Sequence, residues 1–411
     1  MSSHRIKSVD IIPIFPRLAA RYADRVVDMY GIEARLLCRI ETDSGLVGWG
    51  DQRVRPWFVV PDDMGQDLVG RDPFDFVNSK QSGGINTGLY DLMGKCLEVP
   101  AWKLMGPRVR DWVPVAAWTR PASPEQFAAE IQRAAEQGYR VFKIHTCSHH
   151  DVFEQTRAAE AVAPEGFKIH YDFNHNRSLG AVLPVVAELE RNHPIVAFVE
   201  DPLIRTDIEG WRALRQQTRI PIVMHGTPMG GMQEYKHDMA DAFMIGGSMF
   251  DTMSAGFALG RANLQVILQH ESGTLGKAMA MHMASVLPTH TSHSINLEDQ
   301  YEEDVTTESI PVVDGSSPVP QGIGLGYEVD ESAVQRLSQQ KLTEAPRHIG
   351  ILHMSDGSTW YGKGYVSPPS VTGTEEAGLR GFSSELWEED GTTEFEAMYD
   401  RVSAEGKVRA S

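Results

Sequence analysis

From about residue 114 onward, short apolar runs that end in polar side chains alternate with amphipathic stretches. The runs are VPVAAW, YRVFKIH, FKIHYDFN, IVAFVEDP, IPIVMHG, DAFMIGG and VILQH. Runs of this length predict buried strands, and the apolar positions recurring every three to four residues between them predict helices. Residues 124–137 form the clearest of these helices, with Ser123 as its cap. The polar strand ends fall at Lys143, Asp172, Glu200, His225, Gly246 and His270, which stand 29, 28, 25, 21 and 24 residues apart. Such a strand-helix rhythm suits a parallel sheet closed into a (β/α)8-type barrel, whose chemistry gathers at the C-terminal ends of its strands. An open doubly wound sheet is the alternative. No glycine fingerprint for a dinucleotide follows the first strands, which counts against it.

The chain before the barrel reads differently. Residues 8–16 and 33–42 predict strands, the second turning at Asp43-Ser-Gly45 into a return strand at 46–49, and residues 86–98 predict a helix closed by Pro100. Residues 1–113 are therefore expected to form a small α+β domain and residues 114–348 the barrel. Residues 349–411 open with Ile349-Gly-Ile-Leu-His353 and a Ser-Asp-Gly turn, then become rich in Gly, Ser, Thr and acidic residues. They are expected to return to the first domain and to end frayed.

At 411 residues the chain has room for both domains, and its formal charge of −18 disfavours nucleic acid or an anionic membrane as partner. A small anionic substrate must then meet a local cluster of cations or a metal. The three cysteines, Cys38, Cys96 and Cys147, are dispersed and odd in number, as expected of reduced thiols in a cytoplasmic protein. No uninterrupted apolar run suggests a signal peptide or a membrane span.

Strand alternation assembles the candidate chemistry. Lys143 and His145 share one face of their strand, as do Asp172 and Asn174 on the next; Glu200 closes the third, and its neighbour Asp201 is expected to point away. Two carboxylates on adjoining strands suit a hard divalent cation, Mg²⁺ first. Lys143 supplies a cation beside it and His145 a base; His270 is a second candidate base and Glu298 a candidate acid. This set suits removal of a proton next to a carboxylate, with the enolate held by metal and cationic donors. His225 stands open between three roles. As a third ligand it would make a mixed nitrogen and oxygen site suited to Mn²⁺, Fe²⁺ or Zn²⁺; it could instead touch substrate or serve the fold. The pair His149-His150 reads as loop surface.

These stretches resemble the enolase superfamily, in its mandelate racemase and muconate lactonizing enzyme branch. The likeness is carried by Ile40–Gly50 and Leu89–Gly106 in the first domain, then by Lys143-Ile-His145, Asp172-Phe-Asn174, Val199-Glu-Asp-Pro202 and Gly322-Ile-Gly-Leu-Gly326 in the barrel. The resemblance implies an N-terminal capping domain, a Mg²⁺ site on Asp172 and Glu200 that holds a small-molecule carboxylate, and symmetric homo-oligomers. Lys143 and His145 match that family's Lys-x-Lys pair, Asn174 a substrate-contacting position, His270 the histidine of an Asp-His dyad, and Glu298 the acid of the last strand. Arg17, Arg21 and Arg25 lie where the family has a mobile loop over the site. Two acids are missing: the third metal carboxylate, due near Gly226, and the dyad aspartate, due near Gly246. The implied reaction is dehydration of a sugar acid to a 2-keto-3-deoxy acid. The alternatives are a racemase or epimerase, and a non-catalytic carboxylate binder that lost the third ligand.

Overall fold

The computed structural model describes residues 4–410 apart from 148, 176, 229 and 374–379. The first three strands, β1 (Ile6–Ile14), β2 (Arg35–Thr42) and β3 (Val47–Arg53), form an antiparallel sheet in the order β1-β2-β3. The helix Gly83–Leu97 packs across β2 and β3. Glycine sets how close it comes: a Cβ on Gly50 would stand 1.9 Å from the carbonyl oxygen of Gly84 and 2.5 Å from the amide of Gly88. Backbone cannot step aside as a side chain can, so Gly50→Ala is expected to destabilise the protein by about 3 kcal/mol, read as a lower denaturation midpoint at unchanged slope.

Eight parallel strands follow: β4 (Trp112–Thr119), β5 (Val141–His145), β6 (Lys168–Asp172), β7 (Val196–Glu200), β8 (Ile222–His225), β9 (Ala242–Ile245), β10 (Gln265–His270) and β11 (Ser294–Asn296). They pair in sequence order, and β11 closes on β4. This is the closed barrel that the rhythm predicts, not the open sheet. The first connecting helix spans Pro124–Glu136, where Ser123 and Gln126 cap each other reciprocally. Inside the barrel, alternate residues form a packed plug of Ala116, Trp118, Val223, Met244, Ile267 and Ile295, above which the polar strand ends open. Barrel-strand residues of the opposite parity, such as Ile144, Tyr171, Met224 and Leu268, face the helices.

β12 (Ser316–Pro318) pairs antiparallel with β4. Residues 348–409 make a separate antiparallel sheet of β13 (His348–Met354), β14 (Thr359–Lys363), β15 (Phe382–Glu388) and β16 (Lys407–Arg409), ordered β15-β13-β14-β16. Its strands pair with one another and not with β1–β3. Contacts to the body run from Tyr365 to Asp28 and from Gly381 to Asp151. The tail expected to fray forms the helix Thr393–Glu405 instead, with Phe395 and Val402 buried under the sheet. No helix among the described residues is long and apolar enough to cross a membrane.

Candidate active site

At the C-terminal mouth of the barrel lies a cavity of 550 Å³, lined by His145, Asp172, Asn174, His225, Gln269 and Glu271, and by four arginines. Lys143 is buried behind this lining, in contact with Asp172 and Gln269. Its fully buried ammonium stands 3.1 Å from Asp172 Oδ2 and 2.8 Å from Glu200 Oε2, and donates to Gln269 Oε1 at 3.0 Å. Burial opposes that charge, but Glu200 and Asp172 outweigh it and the lysine pKa is raised. Burial likewise opposes the Glu200 carboxylate, yet Lys143, His170 and His225 hold it well below the usual carboxylate range.

His225 resolves to the wall of this site. Its Nδ1 is 3.0 Å from Glu200 Oε1, and one ligand atom from each of Asp172, Glu200 and His225 falls within 4.8 Å of the others. The set fits a divalent ion. The donors are two carboxylates and one imidazole, and each carboxylate oxygen carries more than one lone pair, so contacts to Lys143 and His170 still leave Glu200 able to hold a cation. Asp172 Oδ1 accepts the Asn174 amide at 2.8 Å, which leaves Oδ2 for the site. Asn174 itself adopts a left-handed backbone, φ 57°, and its side-chain amide donates to the Thr146 carbonyl at 3.3 Å while the residue lines the cavity.

His145 Nε2 lies 3.4 Å from Asp172 Oδ2, with its ring edge-on to Trp118. Burial lowers its pKa below 6.5, so at neutral pH the imidazole is uncharged and able to accept a proton.

Two candidate residues lie elsewhere. His270 has the outward parity of Val266 and Leu268; its Cβ sits 3.9 Å from where a Cβ on Gly276 of the helix Thr274–Val286 would be, and its ring lines an adjoining cavity. Gln269 and Glu271 are the β10 residues that reach the mouth. Burial pushes the His270 pKa down to about 4, against the opposing charge of Glu271. Glu298 also faces outward, where it is ion-paired with Lys277, whose ammonium donates to the Ile310 carbonyl at 3.0 Å as well. Asp201, expected to point away, lines the mouth because its positive φ of 45° breaks strand alternation. There it accepts the His225 amide at 2.9 Å and pairs with Arg205.

The arginines of the mouth are Arg53, Arg55, Arg120 and Arg205, not the Arg17, Arg21 and Arg25 of the sequence reading. Arg25 is buried against Thr119 and the carbonyl of Pro121, and Arg21 donates to the Asp299 carbonyl. Glu271 is held below the usual carboxylate range: burial opposes its charge, but Arg53 outweighs it. Also unforeseen is His170, fully buried below the site, with Nε2 2.9 Å from Glu200 Oε2 and Nδ1 2.8 Å from His293 Nε2.

The family model for the enolase C-terminal domain-like family matches residues 126–333. Among curated relatives, the D-galactonate dehydratases of Cronobacter sakazakii and Variovorax paradoxus are each 28% identical over 232 residues, which is 49% of this chain and 60% of the relative. The chain thus spans less than two thirds of the length of the relatives it matches. Among solved structures, a dipeptide epimerase from Cytophaga hutchinsonii, complexed with Mg and the dipeptide D-Ala-L-Val, superposes with a TM-score of 0.70 at 18% identity, over 81% of this chain and 98% of that one. An N-succinyl Arg/Lys racemase from Bacillus cereus gives 0.68 at 18% identity, over 82% and 98%. These likenesses show the fold. The family match covers just over half of the chain, and together with the closed barrel it establishes that the chain belongs to the enolase superfamily, in its mandelate racemase and muconate lactonizing enzyme branch.

Proposed function

We infer that the chain is a divalent-metal-dependent enzyme that removes a proton next to a carboxylate, and that its reaction is dehydration of a sugar acid to a 2-keto-3-deoxy acid. The observation that carries this reading is the convergence of Asp172, Glu200 and His225 beside Lys143 and His145, where Asp172, His225 and His145 line an arginine-rimmed cavity and Glu200 and Lys143 are buried behind them. Asp172, Glu200 and His225 would hold the ion, Mg²⁺ or, given the imidazole, Mn²⁺. When bound, the ion supplies positive charge to the substrate carboxylate as the α-carbon is deprotonated. Lys143 adds a second positive charge from below, already in place before reaction. His145 Nε2 takes the α-proton, and the imidazolium so formed gives it to the departing β-hydroxyl, which leaves as water. The enol that remains tautomerises to the 2-keto acid.

One base suffices for that sequence. A racemase needs a second on the opposite face, and there the cavity lining presents Gln269 and an arginine-bound Glu271, with His270 on the adjoining cavity. This supports dehydration over racemisation. The relatives named D-galactonate dehydratase support it too.

The arginines answer the problem set by the acidic chain, since they offer local positive charge to an anion. Arg53 and Arg205 already pair with Glu271 and Asp201, and Arg120 donates to the carbonyls of Asp28 and Tyr30. Arg55 makes no ion pair among the described residues and is exposed at the mouth. Arg55→Ala is expected to raise KM about tenfold with kcat nearly unchanged, the signature of lost substrate binding.

A second reading has its own observation. The Lys143 ammonium already sits between Asp172 and Glu200, as in a carboxylate binder that works without metal. Metal analysis of the purified protein, followed by a sugar-acid panel assayed for 2-keto acid and for deuterium uptake at the α-carbon, separates the readings. Bound divalent ion with keto-acid product supports dehydration; deuterium uptake without product supports epimerisation; an absence of bound or bindable ion would leave the metal-free binder.

A further inference from the structure

The loop that follows β5 holds a cluster that the reaction does not use. One ligand atom each from Cys147, His149 and His150 falls within 4.8 Å of the others. Read as loop surface from the sequence, His150 is only 6% exposed, and Nε2 of both histidines is buried with no hydrogen-bond partner. A buried imidazole nitrogen left without a partner costs stability unless something completes it. Here one nitrogen of each ring falls within 4.8 Å of the Cys147 sulfur. We propose that Cys147, His149 and His150 form a second cation site, on the rim of the active-site cavity, that takes a borderline transition-metal ion of the zinc class through one thiolate and two imidazoles.

The surroundings select that class of ion. No carboxylate belongs to the triad; Asp28 and, more weakly, Arg177 act on Cys147 with opposite signs, and Arg25 acts on His150. Mg²⁺ binds through charged oxygen, which the triad does not offer, whereas thiolate and imidazole bind zinc-class ions by stronger, softer bonds. Burial pushes the pKa of His149 down to about 4 and that of His150 to about 3, so both rings are neutral with lone pairs free. Burial pushes the Cys147 thiol up to about 12, but the backbone N–H groups of His149 and His150 bond to its sulfur and favour the thiolate. Binding the ion would displace the thiol proton to solvent, exchanging the S–H bond for a metal–sulfur bond.

The place suggests what the ion would hold. The His149 ring is stacked on Tyr365 of the C-terminal segment, with centroids 3.7 Å apart, and the Tyr365 hydroxyl donates to Asp28 Oδ2 at 3.0 Å. His149, Tyr365 and Asp28 all line the active-site cavity. An ion on the triad would fix this wall between the barrel and the C-terminal sheet.

The test uses the whole chain, stripped by chelator and titrated with Co²⁺ alone, then with Zn²⁺ in equilibrium dialysis. A near-ultraviolet thiolate-to-cobalt charge-transfer band is expected in the wild type and in Asp172→Asn, saturating at one ion per chain. It should vanish in Cys147→Ser, with one fewer Zn²⁺ bound, and His150→Ala should weaken binding at least about tenfold. His149→Ala, at a half-buried ring, tests the same set should Cys147→Ser not fold. No band in the wild type at saturating Co²⁺, or a band that persists in Cys147→Ser, overturns the proposal. Because Asp172→Asn is scored separately, the result is independent of the reading of the active site.

Discussion

Glu200→Gln lowers turnover by at least about a thousandfold and abolishes divalent-ion binding at the barrel mouth, as measured by steady-state kinetics and equilibrium dialysis. The substitution keeps the size of the side chain and removes only its charge. Glu200 is the hub of the site: fully buried, it lies 2.8 Å from the Lys143 ammonium, 2.9 Å from His170 Nε2 and 3.0 Å from His225 Nδ1. With the charge gone, one of two carboxylate ligands becomes a neutral amide, and the amide NH₂ faces groups that themselves donate. Loss of charge stabilisation prepared in advance for the transition state costs on the order of 3–4 kcal/mol per group, and loss of the ion adds to it. Asp172→Asn should give the same pair of losses. A Glu200→Gln protein that turns over within about tenfold of wild type would show that no metal at this place serves the reaction.

Lys143, His145, Asp172, Glu200 and His225 were legible because each is the polar end of an otherwise apolar strand, and alternation then puts them on the inner face. The same reasoning could not fix which way His270 and Glu298 face, for a physical reason. Strands of a parallel barrel are buried on both sides, so Val266, Ile267 and Leu268 carry no contrast between inside and outside. At Gln269-His270-Glu271 three polar residues succeed one another, and sequence offers nothing to choose between parities that the register of β10 against β9 decides. Glu298 repeats the case, since Ile295 and Leu297 take the inner face and leave the acid outside with Lys277. Asp201 escaped prediction differently, through a backbone that turns left-handed at the strand end. The mouth arginines come from three separated parts of the chain, around residues 53–55, 120 and 205, which only the closed barrel gathers. The C-terminal sheet was hidden by composition, because Gly350 and Gly362 stand buried within its strands, where glycine gives no strand signal.

Lys143→Met should destabilise the metal-free protein by about 3–5 kcal/mol, yet make a divalent ion stabilise it more than it stabilises the wild type. Methionine fills nearly the same volume without charge, and its loss of the ammonium leaves Asp172 and Glu200 facing each other with no cation in a buried site. An ion that binds the folded state restores that charge, and its stabilisation grows with its affinity. In the wild type the ammonium competes with the ion for the same carboxylates, so the gain is smaller. The pH dependence supplies a sign test. In the wild type the Glu200 pKa is depressed below its unfolded value near 4.5, so its contribution is fully present above that value and lost as pH falls through the folded pKa. In Lys143→Met burial has a weaker opponent and raises the carboxylate pKa instead; the penalty is then largest near neutral pH and shrinks on acidification as the carboxylate takes up a proton. Metal-free wild type and variant should therefore converge in melting temperature as pH falls from 7 toward 4, and diverge in their response to Mg²⁺ or Mn²⁺ at pH 7. Parallel acid curves with equal metal responses would mean that the ammonium does not hold these two carboxylates, and that charge neutralisation by Lys143 is not what keeps the site folded without its ion.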